Sequence, residues 1–294
     1  MKYYFFVLVV CFIFNSSFSQ TSDIARVEYT WFPQDDSDNS FRRFKTFFNY
    51  PIKLKHDDFL IPGIEYQNIE FQFNDKVPFE KQNLDRYQYY KANLAYVRKF
   101  KEHWRYAAEA GIVASSNFET GLTSGDLLFN GSVYVARSKS KTETQKKTRL
   151  ILGITFNTNA GTPFPLPFVN YFKEVSPKIS YTLGIPKSNI KYHFTPKHIM
   201  QAFTTLDGFY ANVQNDINIT QNGITKQASE LSMLVALSGL GYEYKFTDYF
   251  SFYSYAGYTI LNDIRLRDDN SNDVFTINDN NSIYFRFGLK IKVY

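Results

Sequence analysis

The chain has 294 residues, 33 of them Lys or Arg and 28 Asp or Glu, for a formal charge of +5, and a single cysteine, Cys11. So small and dispersed an excess charge gives no sign of nucleic acid as a partner, and one cysteine excludes a disulfide framework. The 30 phenylalanines and 23 tyrosines, beside a mean hydropathy below zero, argue against an ordinary soluble domain and for one closed sheet with an aromatic outer band, a polar lumen and polar loops.

In chain order, Lys2 precedes an apolar and aromatic run from Tyr3 to Phe14, and Ser17 and Ser19 supply a small-x-small cleavage pattern. Segment 1–19 reads as a secretory signal peptide cut after Ser19. The run is too short for a spanning helix, which needs about 20 apolar residues. Cys11 falls inside this segment, so the mature chain, 20–294, carries no thiol.

Strand-like runs follow near 22–32, 41–54, 59–73, 85–99, 104–115, 127–137, 148–157, 180–194, 199–212, 230–246, 249–262 and 282–294. Most alternate. Phe44, Thr46, Phe48, Tyr50, Ile52 and Leu54 share one face, and Tyr106, Ala108, Ala110 and Ile112 oppose Arg105 and Glu109. Neighbouring side chains of a strand point to opposite faces, so each run has a greasy side and a polar one. In the tenth run Leu231, Met233, Val235 and Leu237 share a face, but beyond Gly239 and Gly241 the greasy set becomes Tyr242, Tyr244 and Phe246. A bulge near the glycines would keep both sets outward. The last run is the clearest: Ile283, Phe285, Phe287, Leu289, Ile291 and Val293 alternate with a set that includes Arg286, Lys290 and Lys292, and the chain stops at Tyr294. The apolar register thus ends one residue before the terminal aromatic.

Short links around 55–58, 99–103, 195–197 and 247–249 alternate with long polar links around 33–40, 74–83, 116–126, 158–178, 213–229 and 263–281, one inner turn, 138–147, being longer than the rule prefers. Bacterial outer-membrane barrels have short periplasmic turns and longer outer loops, with both termini inside. The pattern predicts an all-β chain, a single transmembrane antiparallel up-and-down barrel of about twelve strands, with ten or fourteen as the alternatives. Run 180–194 is the least regular, since Pro186 interrupts it and cannot donate to a ladder.

Within Tyr181–Val213, the elements Gly184-Ile185-Pro186, Ile190-Lys191-Tyr192-His193-Phe194 and Leu206-Asp207-Gly208-Phe209-Tyr210 resemble a segment of an uncharacterised family of Gram-negative outer-membrane β-barrel proteins. The resemblance covers about a tenth of the chain. It implies the same fold and location, and brings no activity or functional residue.

Chemistry-bearing candidates are few. The histidines His56, His103, His193 and His198 all fall at or beside short inner turns, with no serine motif beside them, whereas barrel lipases and proteases hold their sites toward the outer half. The chain therefore reads as a non-enzyme, without catalytic residues, cofactor or metal site. Asp268, Asp269, Asp273 and their asparagine neighbours, like Asp35, Asp36 and Asp38, read as solvated turn residues, with calcium as the rival. The basic inner turns read as solvated, the rival being contact with anionic headgroups. Strand parity sends Arg26, Glu28, Lys45, Arg105, Glu109, Lys191, Asp207, Arg286 and Lys290 into the lumen. If they line an open path, the protein is a passive or weakly selective pore for small solutes. If they pair across the lumen, it is a non-conducting structural or adhesion barrel that binds partners through its outer loops. The loop 158–178, stiffened by Pro163, Pro165 and Pro167, is a candidate to fold inward. A lipid-modifying barrel enzyme is the third reading. The expected partners are outer-membrane lipid, the barrel-assembly machinery and, for a pore, small solutes.

Overall fold

The computed structural model of the chain describes residues 22–33, 40–72, 77–79, 81, 84–139, 146–158, 161, 163–221 and 223–293. The expected signal segment with Cys11, the acidic residues 35–38 and Tyr294 lie outside them.

Alternation produces strands almost throughout. In order they are β1 (Ser22–Pro33), β2 (Ser40–Asn49), the short β3 (Ile52–Lys53), β4 (Phe59–Gln72), β5 (Arg86–Lys101), β6 (Trp104–Ser116), β7 (Leu127–Lys139), β8 (Thr148–Asn157), β9 (Phe164–Glu174), β10 (Ile179–Ile185), β11 (Lys187–His193), β12 (His198–Gln221), β13 (Ile224–Lys245), β14 (Phe250–Arg267), the short β15 (Asp273–Asn278) and β16 (Ile283–Val293). Each main strand pairs antiparallel with its sequence neighbours, and β16 returns to pair with β1, Tyr29 opposite Phe287. The ring closes, each of its main strands being paired on both sides over at least part of its length. Fourteen strands form it; β3 and β15 are short additions to β4 and β14. No helix among the described residues is long and apolar enough to cross a membrane.

Both ends of the described chain, Ser22 and Val293, are paired at the same end of the barrel, called the base below; the opposite end is the mouth. On the outer face Val27, Phe48, Ile64, Leu94, Ile112, Phe129, Val133, Ile154, Leu240, Ile260 and Phe287 stand exposed, and Trp31 stacks on Phe285 across the β1–β16 seam at 5.6 Å between ring centroids. This is a continuous apolar band. Cross-strand aromatic pairs of this kind reinforce a sheet seam.

The count of fourteen corrects the twelve expected, for two reasons. Run 180–194 is a hairpin, with Thr182 opposite Asn189, and it turns at the Ile185–Pro186 bond instead of being one strand interrupted there. And most of the expected loop 158–178 is strand β9, paired with β8 on one side and β10 on the other. Its Pro165 and Pro167 lie on the stretch 164–168 that β10 does not reach, because β10 meets β9 only from Val169 on. Residues without an N–H are tolerated where no ladder needs a donor. The mouth-end links 213–229 and 263–281 are also largely strand, as extensions of β12, β13 and β14 with β15.

A second correction concerns the tenth run. Gly239 and Gly241 continue the β12–β13 ladder unbroken, opposite Phe203 and Gln201. The pairing slips only between Asn212 and Ile217, and β13 against β14 only between Ala236 and Leu237. With no bulge at the glycines, the two apolar sets face opposite ways. Leu231, Met233, Val235 and Leu237 are buried inside the barrel, while Leu240 and Phe246 are exposed.

Candidate functional site in the barrel lumen

The lumen is built in layers. Nearest the base, the buried carboxylate of Glu243 on β13 takes Lys290 Nζ at 2.8 Å, Lys292 Nζ at 3.0 Å and Lys191 Nζ at 3.6 Å. Above it, Glu28 accepts from the Tyr253 hydroxyl at 2.5 Å and faces Arg26 at 3.4 Å and Arg286 at 4.0 Å. Next, Asp207 on β12 receives Arg43 from β2 at 2.6 Å, a short contact from Arg286 of β16 and the Tyr284 hydroxyl at 3.2 Å. β2 lies five strands from β12 around the ring, so Arg43 and Asp207 pair across the lumen. On the β2–β6 wall, Lys45 pairs with Glu65 and Lys91 with Glu109, each at 2.8 Å. A residual cavity of about 80 Å³ lies beside them, lined by Tyr89, Asn130 and Thr158 among others.

Of the nine residues chosen by parity, eight enter these pairs. Arg105 shares its face with Glu109 and Val113 along β6. Sequence reasoning missed Arg43, Glu65, Lys91, Glu243, Tyr253 and Tyr284. The same parity finds them: Arg43 stands two residues from Lys45, and Tyr284 two from Arg286.

Toward the mouth the lumen turns apolar. Tyr284, Phe32, Phe41, Phe71 and Tyr87 form a run of touching rings along β16, β1, β2, β4 and β5, with centroids 4.9–6.0 Å apart. Tyr87 then meets Phe209 of β12 at 6.2 Å. β5 and β12 are seven strands apart in either direction, so this contact spans the barrel. Leu231, Met233, Val235, Ile264 and Leu266 fill in behind it.

A backbone device carries β12 there. β10 and β11 have seven residues each, fewer than the roughly 9–11 a tilted strand needs to cross a bilayer. β11 supports β12 only up to Thr205, and Leu206 N–H bonds to Pro186 O at 2.9 Å as the last contact on that side. Freed from there on, β12 leaves the wall with β13 alongside and crosses the lumen until Asn212 pairs with Ser116 of β6, six strands away. Hydrogen bonds pin it. Ser115 Oγ donates to Tyr210 O at 2.6 Å. Asp126, fully buried in the β6–β7 link, accepts from Asn212 Nδ2 at 2.9 Å and Gln214 Nε2 at 2.7 Å. Gln214 also accepts from Thr120 N–H at 2.8 Å and donates to Gly121 O at 2.6 Å. Burial acts against the Asp126 charge, but the Thr123 N–H, with the side chains of Asn212, Ser116 and Thr123, outweighs it and holds the carboxyl below the usual carboxylate range. Behind β13, Gly161 of the β8–β9 link turns at φ 77°, and a Cβ there would come within 2.6 Å of Ser232 Oγ and 2.9 Å of Met233 O. Of the expected loop 158–178, it is Gly161 that packs against β13 among the described residues, while 164–174 is wall.

All four histidines lie at the base. His56 sits in the turn Lys55–Asp57 and His103 in the β5–β6 link, while His198 Nδ1 is 2.7 Å from Tyr242 OH. His193 Nε2 stands 3.4 Å from Ser180 Oγ, a pair the sequence did not suggest. That exceeds the 2.6–3.2 Å expected of a nucleophile and its base, and Ser180 is buried. At the mouth, Asp268 accepts the backbone N–H groups of Asn270 and Asn272 at 2.9 and 2.8 Å, and Asp273 pairs with Arg267 at 2.9 Å. Those carboxylates are spent on turn and ion-pair contacts.

Residues 27–292 match the family described as a domain of unknown function, DUF6268. The chain belongs to this family. No curated protein matches it in sequence. Among solved structures, the NanC porin aligns at a TM-score of 0.38 and 10% identity, over 92% of this chain and 100% of its own. LpxR from Salmonella typhimurium aligns at 0.37 and 9%, over 91% and 99%, and the Pseudomonas putida toluene transporter TodX at 0.38 and 6%, over 92% and 89%. Likeness this distant brings no activity to the DUF6268 chain. Its lumen has to be read from its own residues.

Proposed function

We propose that this DUF6268 protein spans the outer membrane of a Gram-negative bacterium as a plugged barrel that does not conduct ions at rest, and that it serves as a scaffold presenting its outer segments to partners. The base then faces the periplasm and the mouth the exterior. The apolar outer band matches lipid, and a closed ring is one of the two structures a bilayer tolerates. The observation that carries the closed reading is the crossing of the lumen by β12, Phe209 against Tyr87 and Asn212 against Ser116. Of the two uses of lumen charge weighed from sequence, pairing across the barrel is the one Arg43 and Asp207 favour.

The pore reading keeps one specific support. The crossing segment is held at its far end by polar contacts around Asp126 and Gln214, so its release would open a path along the charged wall. Ion flux in planar bilayers separates the two. The parent protein should give no conductance steps, and a double variant Asp126→Ala, Gln214→Ala should give them intermittently. Stable steps from the parent would favour the passive pore. An enzyme reading would rest on His193 and Ser180; a lipid-hydrolysis signal lost in His193→Ala would revive it.

A further inference from the structure

The layer nearest the base is out of charge balance. Three ammonium groups, Lys191, Lys290 and Lys292, share the one carboxylate of Glu243. A carboxylate cancels one of the three charges. Lys290 and Glu243 are buried, and Lys191 retains 26% side-chain exposure toward the lumen. The nearest other acids are committed elsewhere, Asp23 to Arg26 and Glu28 to Arg26 and Arg286.

A fourth cation stands on the same face of β11. Lys187 Nζ lies over the rings of Phe203 at 4.9 Å and Tyr255 at 4.3 Å, and has no carboxylate partner among the described residues. Gly241 makes room for the Tyr255 ring: a Cβ there would stand 2.4 Å from Tyr255 Cδ1. Between Lys187 and Lys191 the strand presents Asn189 inward, and Gln201 of β12 is register-paired with Lys191. The side-chain oxygens of Asn189 and Gln201 have no hydrogen-bond partner, and Gln201 is only 4% exposed. A half-turn of either amide presents its NH₂ group instead. A buried polar cluster left partly unsatisfied is costly, and excess positive charge specifies what would complete it.

We propose that the β11 side of the lumen, from the Glu243 layer up to the far end of β11, is a binding site for a soluble multivalent oxyanion, such as a phosphate or sulphate group, held by Lys187 and Lys191 with the amides of Asn189 and Gln201 and flanked on the base side by Lys290 and Lys292. The four lysines face the lumen, not the apolar outer band, so the ligand reaches them from the aqueous side and not as a lipid headgroup. The assignment does not depend on whether the barrel conducts.

The test is calorimetric titration of the folded protein in a zwitterionic detergent with inorganic pyrophosphate, at ionic strength held constant with chloride. Binding is expected in the parent. Lys187→Met, which removes no ion pair, should weaken it roughly tenfold or more, as loss of one charge-assisted contact does. Lys53→Met, in the exposed Ile52–Lys53 segment, should leave it unchanged. Should Lys191→Met fail to fold, Lys187→Met still decides. Absence of pyrophosphate binding in the parent, binding untouched by Lys187→Met, or displacement of pyrophosphate by phosphatidylglycerol in the micelle would each overturn the proposal.

Discussion

Asp207 ties the start of the crossing segment to the wall, since among the described residues it alone receives both Arg43 from β2 and Arg286 from β16. Removing it leaves two buried guanidiniums facing each other. Asp207→Ala is therefore expected to cost roughly 3–5 kcal/mol, the usual cost of orphaning a buried pair, read as a lower urea midpoint in micelles; an unchanged midpoint would show that the arginines find other partners. Tyr87 predicts the opposite sign. Its ring closes the aromatic run, but its hydroxyl is buried with no partner among the described residues. Tyr87→Phe keeps the packing and removes a desolvated group worth about 1–3 kcal/mol, so the midpoint should hold or rise. A fall would place an unseen partner on that hydroxyl. At this scale two-residue parity groups Arg26, Glu28, Asp207, Arg286 and Lys290 on one face without any knowledge of the fold, and the structure joins each of them in an ion pair. Parity was a poor guide to Leu231, Met233 and Val235, because an alternating apolar set marks a buried face without saying whether lipid or the barrel's own interior buries it.

Among the elements, the β10–β11 hairpin has the widest consequence. Its seven-residue strands stop supporting β12 at Thr205, and β12 then spends its polar edge on β6 and the Asp126 link. The staple depends on an ionised carboxylate. Because the folded Asp126 carboxyl sits below its ordinary value, the stabilisation it lends is present above the ordinary carboxylate range, about pH 4, and is lost as pH falls through the folded value. Hydrogen exchange at the Gln214 N–H, which bonds Asn117 Oδ1 at 2.9 Å, should accelerate on acidification beyond the change in intrinsic rate. Asp126→Asn should show weaker protection at neutral pH and no such acid step. Equal acid behaviour of the two proteins would remove Asp126 from the mechanism. This hairpin was the part least legible in the sequence. A proline inside an apolar run is read as a break in one strand, whereas here it is the turn between two. Prolines in β9 disguised a strand as a loop, since the edge they occupy needs no donors.

For the molecule as a whole, a closed ring, an apolar exterior and both ends of the described chain at one end of the barrel followed from alternation and link lengths, because these depend on local period. The partition did not, because it arises from strands far apart in sequence meeting across the lumen, and no local pattern encodes that distance. Ser116 and Asn212 are the paired residues that define it. On an unpartitioned wall they would lie six strand spacings of about 4.8 Å apart, far beyond the 4.4–6.8 Å Cα separation a disulfide spans. With Cys11 the only cysteine of the chain, a form beginning at Gln20 provides a thiol-free background. The most direct measurement is oxidation of Ser116→Cys, Asn212→Cys in the folded barrel, scored by gel mobility with and without reductant. Near-complete intramolecular cross-linking is the predicted result. Two free thiols in a protein that remains folded would contradict a lumen crossed by β12.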